Sequence, residues 1–474
     1  MVLTKKNNQY LFKELTIKDA FQSCFDVKHQ SFHFQSSSND YKVMFTYCEG
    51  LYDYDKLNKV IIPELRHFFQ LMEDQIFSDD FIQKDLNITT LQQVESKEKM
   101  ITKVLLGEVL IYFPNLETAY SIDTSNFPKR DPQDSTTDVP IKGSRDGFIE
   151  DITTNVALIR KRLPSNSLHY DQYIVGEKSK TKVGLLFIED KIDPDVLKKI
   201  KDKLSKIKTE AIYSTKQVKE LIADIKFPLF PIFSYSGRPD FTVHSLMNGR
   251  FVLIVDGLPS VVLGPANFMF LLDSGEDKEM ISVFALFERL MRIIGFMMAT
   301  FLPGFWVALV SFHHDQIPFA LLSTIVESRR GVPFPSALEV FIMLLLFEIF
   351  REAGMRLPFG IGQTLSVVGG LIIGDAAIAA GITNATTMVI IAVAVVSTYT
   401  LVNQSLVGAI SVVRYFILFI SSIMGIWGFF LSSFLTILYL ANLRPYGVNY
   451  LTMSSKSPRK LLKTYVKLPW KNSS

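Results

Sequence analysis

Cysteine is scarce in this chain of 474 residues, which contains only Cys24 and Cys48. The two residues form no CxxC pair and have no matching histidine, so a disulfide framework or a zinc site is not expected. We interpret both as small buried side chains. We expect neither a metal nor a cofactor.

The chain also lacks the short motifs of common catalytic sites: Walker A, HExxH, GxSxG and the glycine-rich dinucleotide fingerprint. Two acidic pairs, Glu150-Asp151 and Glu276-Asp277, consist of adjacent residues. Such residues do not face each other on a helix and make poor acid–base partners. We therefore interpret both pairs as solvated surface and do not expect an enzyme.

A strong basic excess is missing too. The formal net charge is +3, which is too small to indicate nucleic acid as a partner. No basic start followed by a short apolar run is present, so we expect no cleavable signal peptide and a cytoplasmic first half. Positive charge is instead concentrated in the predicted cytoplasmic tail, residues 445–474. Its basic residues are Lys456, Arg459, Lys460, Lys463, Lys467 and Lys471.

Charged residues almost disappear from residues 357–443, where only Asp375 and Arg414 occur. A soluble core of ordinary size cannot bury so long an apolar stretch, so we expect lipid around it. Its first part has small residues every three or four positions, a pattern typical of helix contacts inside membranes. The sequence predicts a transmembrane domain over residues 289–444.

The first predicted span covers residues 293–314, and the arginines before it indicate a cytoplasmic start. It contains Pro303-Gly304, where we expect a kink. It ends at His313-His314-Asp315, which a membrane boundary explains better than a metal site, because neighbouring histidines diverge on a helix. Residues 317–326 are too few to span the membrane and are expected to lie at its interface or inside the assembly.

Further spans are predicted at residues 333–350, 361–381 and 385–405, after which Arg414 is expected to mark the inside. The final run, residues 415–443, leaves two alternatives open. It crosses once, or it bends near Gly425 and returns, so the total is four to six segments.

Two acidic residues, Glu339 and Glu348, interrupt the span at residues 333–350. A carboxylate in lipid is costly. We expect both side chains to face protein or water.

The first half predicts a cytoplasmic α/β or α+β domain of two subdomains, residues 1–135 and 136–288. We expect regular structure to begin only after the turn-rich cluster Ser36–Asp40. The predicted strands are 42–48, 109–113, 117–123, 170–175, 183–189 and 251–255. The predicted helices are 54–69, 96–106, 155–163, 193–207 and 218–225.

The segment 142–163 has glycines suited to a turn before a helix that ends in Arg160, Lys161 and Arg162. Cations favour a helix C-terminus. A solvated helix end and an anion site both fit this pattern, and the first is the more common.

Several segments of the chain resemble the A subunits of spore germinant receptors, the GerA family. The resemblance is carried by residues 143–163, Arg238-Pro239-Asp240, Asn248-Gly249-Arg250, Val255-Asp256-Gly257, 301–318, 331–335, 351–358, Gly362-Gln363-Thr364, Gly369-Gly370 and Ala376-Ala377. The chain departs from the family pattern at Leu344, where Glu is frequent, at Asp375, where Gln is frequent, and at Asn403, where Pro is frequent.

This resemblance implies a two-subdomain cytoplasmic domain and a membrane domain in the spore inner membrane. It also implies two partner subunits, a permease-like B subunit thought to bind the nutrient and a lipoprotein C subunit. The A subunits of this family are proposed to self-associate, as pentamers, around a cation-conducting pore.

One predicted helix face bears on that pore. Gln363, Val367, Gly370 and Gly374 lie on one side of a helix, with Asp375 next to them. Small residues of this kind also pack against neighbouring helices. The resemblance favours a pore lining.

The leading hypothesis is therefore a non-enzymatic germinant receptor subunit that forms a ligand-gated cation channel. A secondary transporter or permease-type protein is the alternative, although no repeated pair of broken apolar segments is present.

Overall fold

The computed structural model describes residues 5–6, 9–10, 12–36, 39–72, 91–126, 146–278, 280–355 and 374–451, and five single residues between 77 and 88. The chain divides into two compact units. The N-terminal unit comprises Met1–Lys226 and Tyr235–Pro265, and the helical unit comprises Phe227–Ser234 and Ala266–Ser474. The boundary predicted after residue 135 lies outside the described residues, and the one predicted after residue 288 falls within a helix. The four predicted domain ranges remain predictions.

The first half of the N-terminal unit is a five-stranded sheet with strand order β3-β4-β6-β7-β5. A short ladder of β1 (Lys5–Lys6) and β2 (Gln9–Tyr10) precedes it. The sheet strands are β3 (Val27–Gln35), β4 (Asp40–Cys48), β5 (Leu91–Gln93), β6 (Val109–Phe113) and β7 (Thr118–Ile122). The helices are α1 (Glu14–Ala20), α2 (Tyr54–Lys56), α3 (Ile62–Leu71) and α4 (Lys97–Leu105), with a π-helical turn, Leu57–Ile61, between α2 and α3.

Both faces of this sheet are covered, and β4 shows how. Val43 and Phe45 pack with Leu65 of α3 on one face, whereas Met44 packs with Met100 of α4 on the other. Successive side chains of a strand point to opposite faces. A strand that is buried on both sides therefore has a continuous apolar run, and this is why β4 could be predicted.

The second half contains another five-stranded sheet, with strand order β10-β12-β11-β9-β8. Its strands are β8 (Leu168–Val175), β9 (Thr181–Ile188), β10 (Ser234–Ser236), β11 (Phe251–Val255) and β12 (Val261–Gly264). Its helices are α5 (Ile152–Arg162), α6 (Pro194–Ser205), α7 (Thr215–Ile222) and α8 (Pro239–Met247). The described pairs of β8, β9, β11 and β12 are antiparallel, which matches the α+β alternative.

Regular structure begins well before residue 40, so the prediction that it starts after the Ser36–Asp40 cluster is wrong. Helix α1 and strand β3 both precede that cluster. Strand β3 lies at the edge of its sheet and most of its side chains are only half-buried or exposed. Its composition is correspondingly polar, which concealed it from a search for apolar runs.

The helical unit contains six described helices that are relevant here. They are α9 (Phe268–Leu272), α10 (Ser282–Phe312), α11 (Phe319–Ser328), α12 (Ser336–Met355), α13 (Ala385–Thr398) and α14 (Gln404–Asn442). Among the described residues, α10 and α14 are the two helices long and apolar enough to cross a membrane. The span predicted at 385–405 is interrupted, because α13 ends at Thr398 and Asn403 caps the start of α14.

Helix α14 is bent back on itself at Gly425. This residue has φ 59° and ψ −138°, a conformation outside any helix. A Cβ atom on Gly428 would lie 2.5 Å from the carbonyl oxygen of Ile420, a contact that a straight helix cannot make. The two arms, residues 404–424 and 426–442, share a cavity of about 300 Å³. It is lined by Leu229, Phe230, Val412, Val413, Phe416, Leu435, Thr436 and Tyr439. The bent alternative for residues 415–443 is therefore the observed one.

Contacts along α10 define the directions of its neighbours. A Cβ atom on Gly304 would lie 2.7 Å from Ile417 Cγ2, and one on Gly425 would lie 3.0 Å from Phe312 Cβ. The first arm of α14 thus runs parallel to α10, with the bend beside the end of α10. The second arm returns, so both ends of α14 lie towards the start of α10.

Candidate functional site

The candidate site consists of charged side chains buried among apolar helices, and it is built around α12. This helix contains Glu339 and Glu348, nine residues apart (348 − 339). At about 100° per residue, nine residues correspond to about two and a half turns. The two carboxylates therefore lie on opposite faces of α12 and meet different neighbours.

The carboxylate of Glu339 is fully buried and has two partners. Its Oε1 lies 3.2 Å from Arg329 Nη2, and its Oε2 accepts a 2.8 Å hydrogen bond from Asn384 Nδ2. Asn384 also caps α13, because its Oδ1 accepts from the Thr387 amide at 2.9 Å. The Trp306 indole donates to Thr387 Oγ1 at 3.4 Å and so connects α10 to this network. A buried carboxylate with a cation and an amide as partners can stay ionised.

The carboxylate of Glu348 is shared by two arginines. Arg351 Nη2 donates to its Oε1 at 2.6 Å, and Arg414 Nη2 donates to its Oε2 at 3.3 Å. Arg351 also donates to Ser411 Oγ at 3.2 Å. Arg414 is only 1% exposed. Arg414 thus lies within the first arm of α14 and is paired inside the helical unit, and that it marks the inner side of the membrane stays a prediction.

The proposed pore face is described only at its end. Gln363, Val367 and Gly370 lie outside the described residues. Gly374 is buried, and a Cβ atom there would lie 2.7 Å from Met388 Cε of α13. Asp375 follows it with an exposed side chain. Gly374 thus packs against a helix, while Asp375 lies at the surface of the unit.

The two acidic pairs differ in their environment. Asp151 caps α5 by accepting from the Thr154 amide at 2.7 Å. Asp277 is 2% exposed and accepts hydrogen bonds from Arg292 at 2.7 and 2.8 Å. The interpretation of Glu276-Asp277 as solvated surface is wrong. The burial of Asp277 is explained by Arg292, which lies on α10. A local sequence pattern around Asp277 does not reveal this partner.

Two histidines lie at the end of α10. His313 Nδ1 lies 3.3 Å from the carbonyl oxygen of Ala308, and His314 begins a short 3₁₀ turn. Within the described part of the chain, no group of three or more His, Cys, Asp or Glu side chains is arranged to hold a metal ion.

A buried ion pair in the N-terminal unit was missed by sequence reasoning. Arg160 donates to Asp26 from Nε at 2.7 Å and from Nη2 at 3.1 Å, and both side chains are almost fully buried. Cys48 Sγ donates to the same carboxylate at 3.4 Å. Burial by itself raises the pKa of Asp26, but the charge and hydrogen bonds of Arg160 outweigh it and hold that pKa below its usual value. The two cysteines are free and buried, as predicted.

This ion pair belongs to a joint between the two sheets. The Tyr170 amide of β8 donates to the Ser23 carbonyl at 3.1 Å, and the Phe25 amide donates to the Tyr170 carbonyl at 3.0 Å. Among the cations ending α5, Arg162 pairs with Asp146 and Arg160 with Asp26. These contacts give the cations at the end of α5 a structural role.

One segment that carries the family resemblance, Val255-Asp256-Gly257, lies close to α5. The Asp256 carboxylate accepts from the Ile152 amide at 3.1 Å, and the Gly257 amide donates to the Glu150 carbonyl at 2.7 Å. Gly257 has φ 83°, which favours glycine. These residues connect the β11 turn to the start of α5.

These features define a chain in which an α+β domain is joined to an apolar helical unit with internal ion pairs. The family model described as Bacillus/Clostridium GerA spore germination protein matches residues 15–474. The chain belongs to the GerA family of spore germination proteins.

Individual relatives and one solved structure are similar to this chain. Spore germination protein XA of Bacillus anthracis is 42% identical over 91% of this chain and 88% of its own length. The uncharacterized membrane protein YfkQ of Bacillus subtilis is 31% identical over 95% of this chain and 87% of its own length. The crystal structure of the N-terminal domain of the A subunit of the Bacillus megaterium spore germinant receptor GerK3 matches with 22% identity and a TM-score of 0.41, covering 56% of this chain and 99% of that chain.

Proposed function

We propose that this chain is the A subunit of a nutrient germinant receptor and acts as part of an oligomeric, ligand-gated cation channel in the spore inner membrane. The family match carries the proposal, because it extends over residues 15–474 and thus includes both units. A similar protein of B. anthracis is itself named a spore germination protein.

A membrane location for the helical unit is supported by its inverted polarity. Charged groups such as Glu339 and Arg414 are buried, whereas many large apolar side chains of the hairpin are exposed. The most exposed include Phe419, Ile423, Trp427, Phe430 and Phe434. Lipid solvates such a surface, and intramembrane charges face the interior and pair with one another. We propose several spans here, which include α10, α12 and the two arms of α14.

A cation path is supported by Asp375. Its exposed carboxylate follows the buried Gly374. In the sequence, Gly374 ends the predicted helix face of Gln363, Val367 and Gly370. When copies of the chain assemble, as pentamers in our proposal, this carboxylate repeats as a ring. Rings of acidic side chains favour cations.

In this proposal the protein is not an enzyme, and it acts together with other subunits. The permease-like B subunit supplies nutrient recognition and the lipoprotein C subunit completes the receptor. The N-terminal unit serves as a cytoplasmic docking or sensing module.

The channel proposal predicts that Asp375→Asn lowers cation conductance or selectivity in the assembled receptor while protein levels stay normal. Asp315→Asn, which changes another exposed acidic residue, is the matched control. The measurement is cation release and loss of optical density in spores, together with ion flux in vesicles containing the purified receptor. Unchanged ion release in Asp375→Asn would remove this residue from the path, and flux coupled to uptake of a substrate would favour the transporter alternative.

A further inference from the structure

The charges around Glu348 do not balance. Arg351 and Arg414 both donate to this one carboxylate, so the cluster of Arg351, Arg414 and Glu348 has a net charge of +1. The sequence offers little to correct this, because Asp375 is the only acidic residue after Glu352. Both of these side chains are exposed in the structure. Within the described part of the chain, Glu348 is the carboxylate hydrogen-bonded to Arg351 and Arg414.

Arg414 carries this excess in a setting where charge is costly. It is 1% exposed, and its Nη2 makes the long 3.3 Å bond to Glu348. Its Nε and Nη1 are shielded from solvent and have no hydrogen-bond partner within the described part of the chain. Native proteins rarely leave buried guanidinium donors unpaired, because each such donor loses its hydrogen bonds to water without replacement. The neighbouring Tyr415 hydroxyl is also buried without a partner among the described residues.

The other ion-paired arginines of the helical unit have at least one acidic partner each. Arg329 has Glu339, and Arg330 has Glu327 at 3.1 Å. Arg292 has both Asp277 and Glu288. Arg289 and Arg292 share Asp277, but they also pair with Asp273 and Glu288, so that cluster contains more acidic than basic groups. In the Glu348 cluster, by contrast, two guanidinium groups share one carboxylate, and one of them is almost completely buried.

We infer that Arg414 is the binding site of a small monovalent inorganic anion of the halide class, held inside the helical unit. One such anion cancels the net charge of the cluster and accepts from the free donors of Arg414. Because the cluster has an excess of one positive charge, the anion should carry a single negative charge. Because these nitrogens are shielded from solvent, the anion has to shed its water, which favours bromide and chloride over the strongly hydrated fluoride.

The test is thermal unfolding of the purified full-length protein in detergent. Tryptophan fluorescence, recorded at constant ionic strength, gives the Tm. Ligand that binds the native state raises the Tm with increasing concentration. We expect the Tm to rise with bromide or chloride, relative to gluconate or fluoride, and to saturate.

Two substitutions in the cluster should change the halide response of the Tm in opposite directions. Arg351→Gln leaves Arg414 alone with Glu348, which balances the charge, so the halide response should disappear. Glu348→Gln leaves two uncompensated arginines, so the halide concentration at half-saturation should fall at least about tenfold. Arg330→Gln, in an exposed pair, is the matched control and should respond like the unmodified protein.

Arg414→Gln should also abolish the response, and Arg414→Lys gives a second variant should the first fail to fold. The inference is overturned if the unmodified protein has the same Tm in halide and gluconate. It is equally overturned if the halide response persists in Arg351→Gln, or if anionic lipid vesicles stabilise the protein while halides do not.

Discussion

At the scale of single residues, the pair of Asp26 and Arg160 is the clearest stabilising interaction in the N-terminal unit. Removing one partner of a buried ion pair leaves the other charge buried without a partner, which typically lowers the free energy of unfolding by about 3–5 kcal/mol. Arg160→Met should therefore lower the free energy of unfolding of the purified protein by about 3 kcal/mol in urea titrations. Glu210→Gln is the control, because its pair with Lys178 is 75% exposed on both sides, and it should change stability by less than about 1 kcal/mol.

The same pair predicts a pH dependence. The depressed pKa of Asp26 means that its contribution to stability is fully present above the unfolded value, near 4, and is lost as the pH falls through the folded pKa. Without Arg160, burial remains and raises that pKa instead. The deficit of Arg160→Met should then be largest at neutral pH and shrink towards pH 4. A deficit that is constant from pH 7 to pH 4 would contradict this account.

Sequence reasoning succeeded for residues whose environment follows from their own chemistry. Cys24 and Cys48 were expected to be buried, and they are. It failed where a partner lies far away in the chain. Asp26 pairs with a residue 134 positions later, and Asp277 pairs with Arg292 on another helix. Burial of a charge depends on such long-range contacts, which no local pattern contains.

At the scale of secondary-structure elements, Gly425 determines the hairpin of α14. Its φ of 59° with ψ of −138° is accessible essentially to glycine alone, and a Cβ atom would lie 3.0 Å from Phe312. Gly425→Ala should therefore lower the Tm and the amount of folded protein recovered. Gly408→Ala, in the first arm with open space around it, is the control and should be neutral or stabilising by up to about 1 kcal/mol. Equal behaviour of the two variants would argue against a bend at Gly425.

Elements with a complete local signal were predictable. Helix α4 lies within the predicted range 96–106 and begins after its cap Ser96, and strands β6 and β7 match the predicted strands 109–113 and 117–123. Helix α8 was missed, although Pro239 at its start and Asp240 in its first turn are start signals. The segment is short and lacks a clear apolar period. The bend of α14 remained an open alternative because glycine permits a bend without requiring one.

At the scale of the whole molecule, the division into units predicts which fragments fold. The N-terminal unit needs residues 235–265, because β11 pairs with β9 in the second sheet. Fragment 1–265 should be folded, whereas fragment 1–226 lacks the central strand β11 and should not be. Circular dichroism and size-exclusion chromatography measure the outcome. A monomeric, cooperatively folded fragment 1–226 would contradict the proposed unit.

In fragment 1–265, residues 227–234 are separated from the helical unit against which they pack. In that unit the Leu229 amide donates to the Tyr439 hydroxyl at 2.9 Å, and Tyr450 donates to the Pro231 carbonyl at 3.0 Å. Phe230, fully buried in the structure, has ring contacts with both tyrosines. We expect this apolar segment to make the fragment self-associate. Leu229→Ser with Phe230→Ser should reduce that association without unfolding the fragment.

The last prediction concerns orientation. The bend of α14 lies beside Phe312 at the end of α10, whereas both ends of α14 lie towards the start of α10. The tail that follows is rich in lysine, which favours the inner side. Gln316, after α10, and Asn442, at the end of α14, should therefore lie on opposite sides of the membrane. Both side chains are exposed, and the native cysteines are buried and free.

Single cysteines at these positions test this arrangement with an impermeant thiol reagent. Gln316→Cys should be labelled from the outer face of intact membranes, and Asn442→Cys only after permeabilisation. The chain without an added cysteine is the control and should remain unlabelled, because Cys24 and Cys48 have no exposed thiol. Labelling of Asn442→Cys from outside would mean that the second arm does not return, and it would leave the basic tail on the side that the positive charges disfavour.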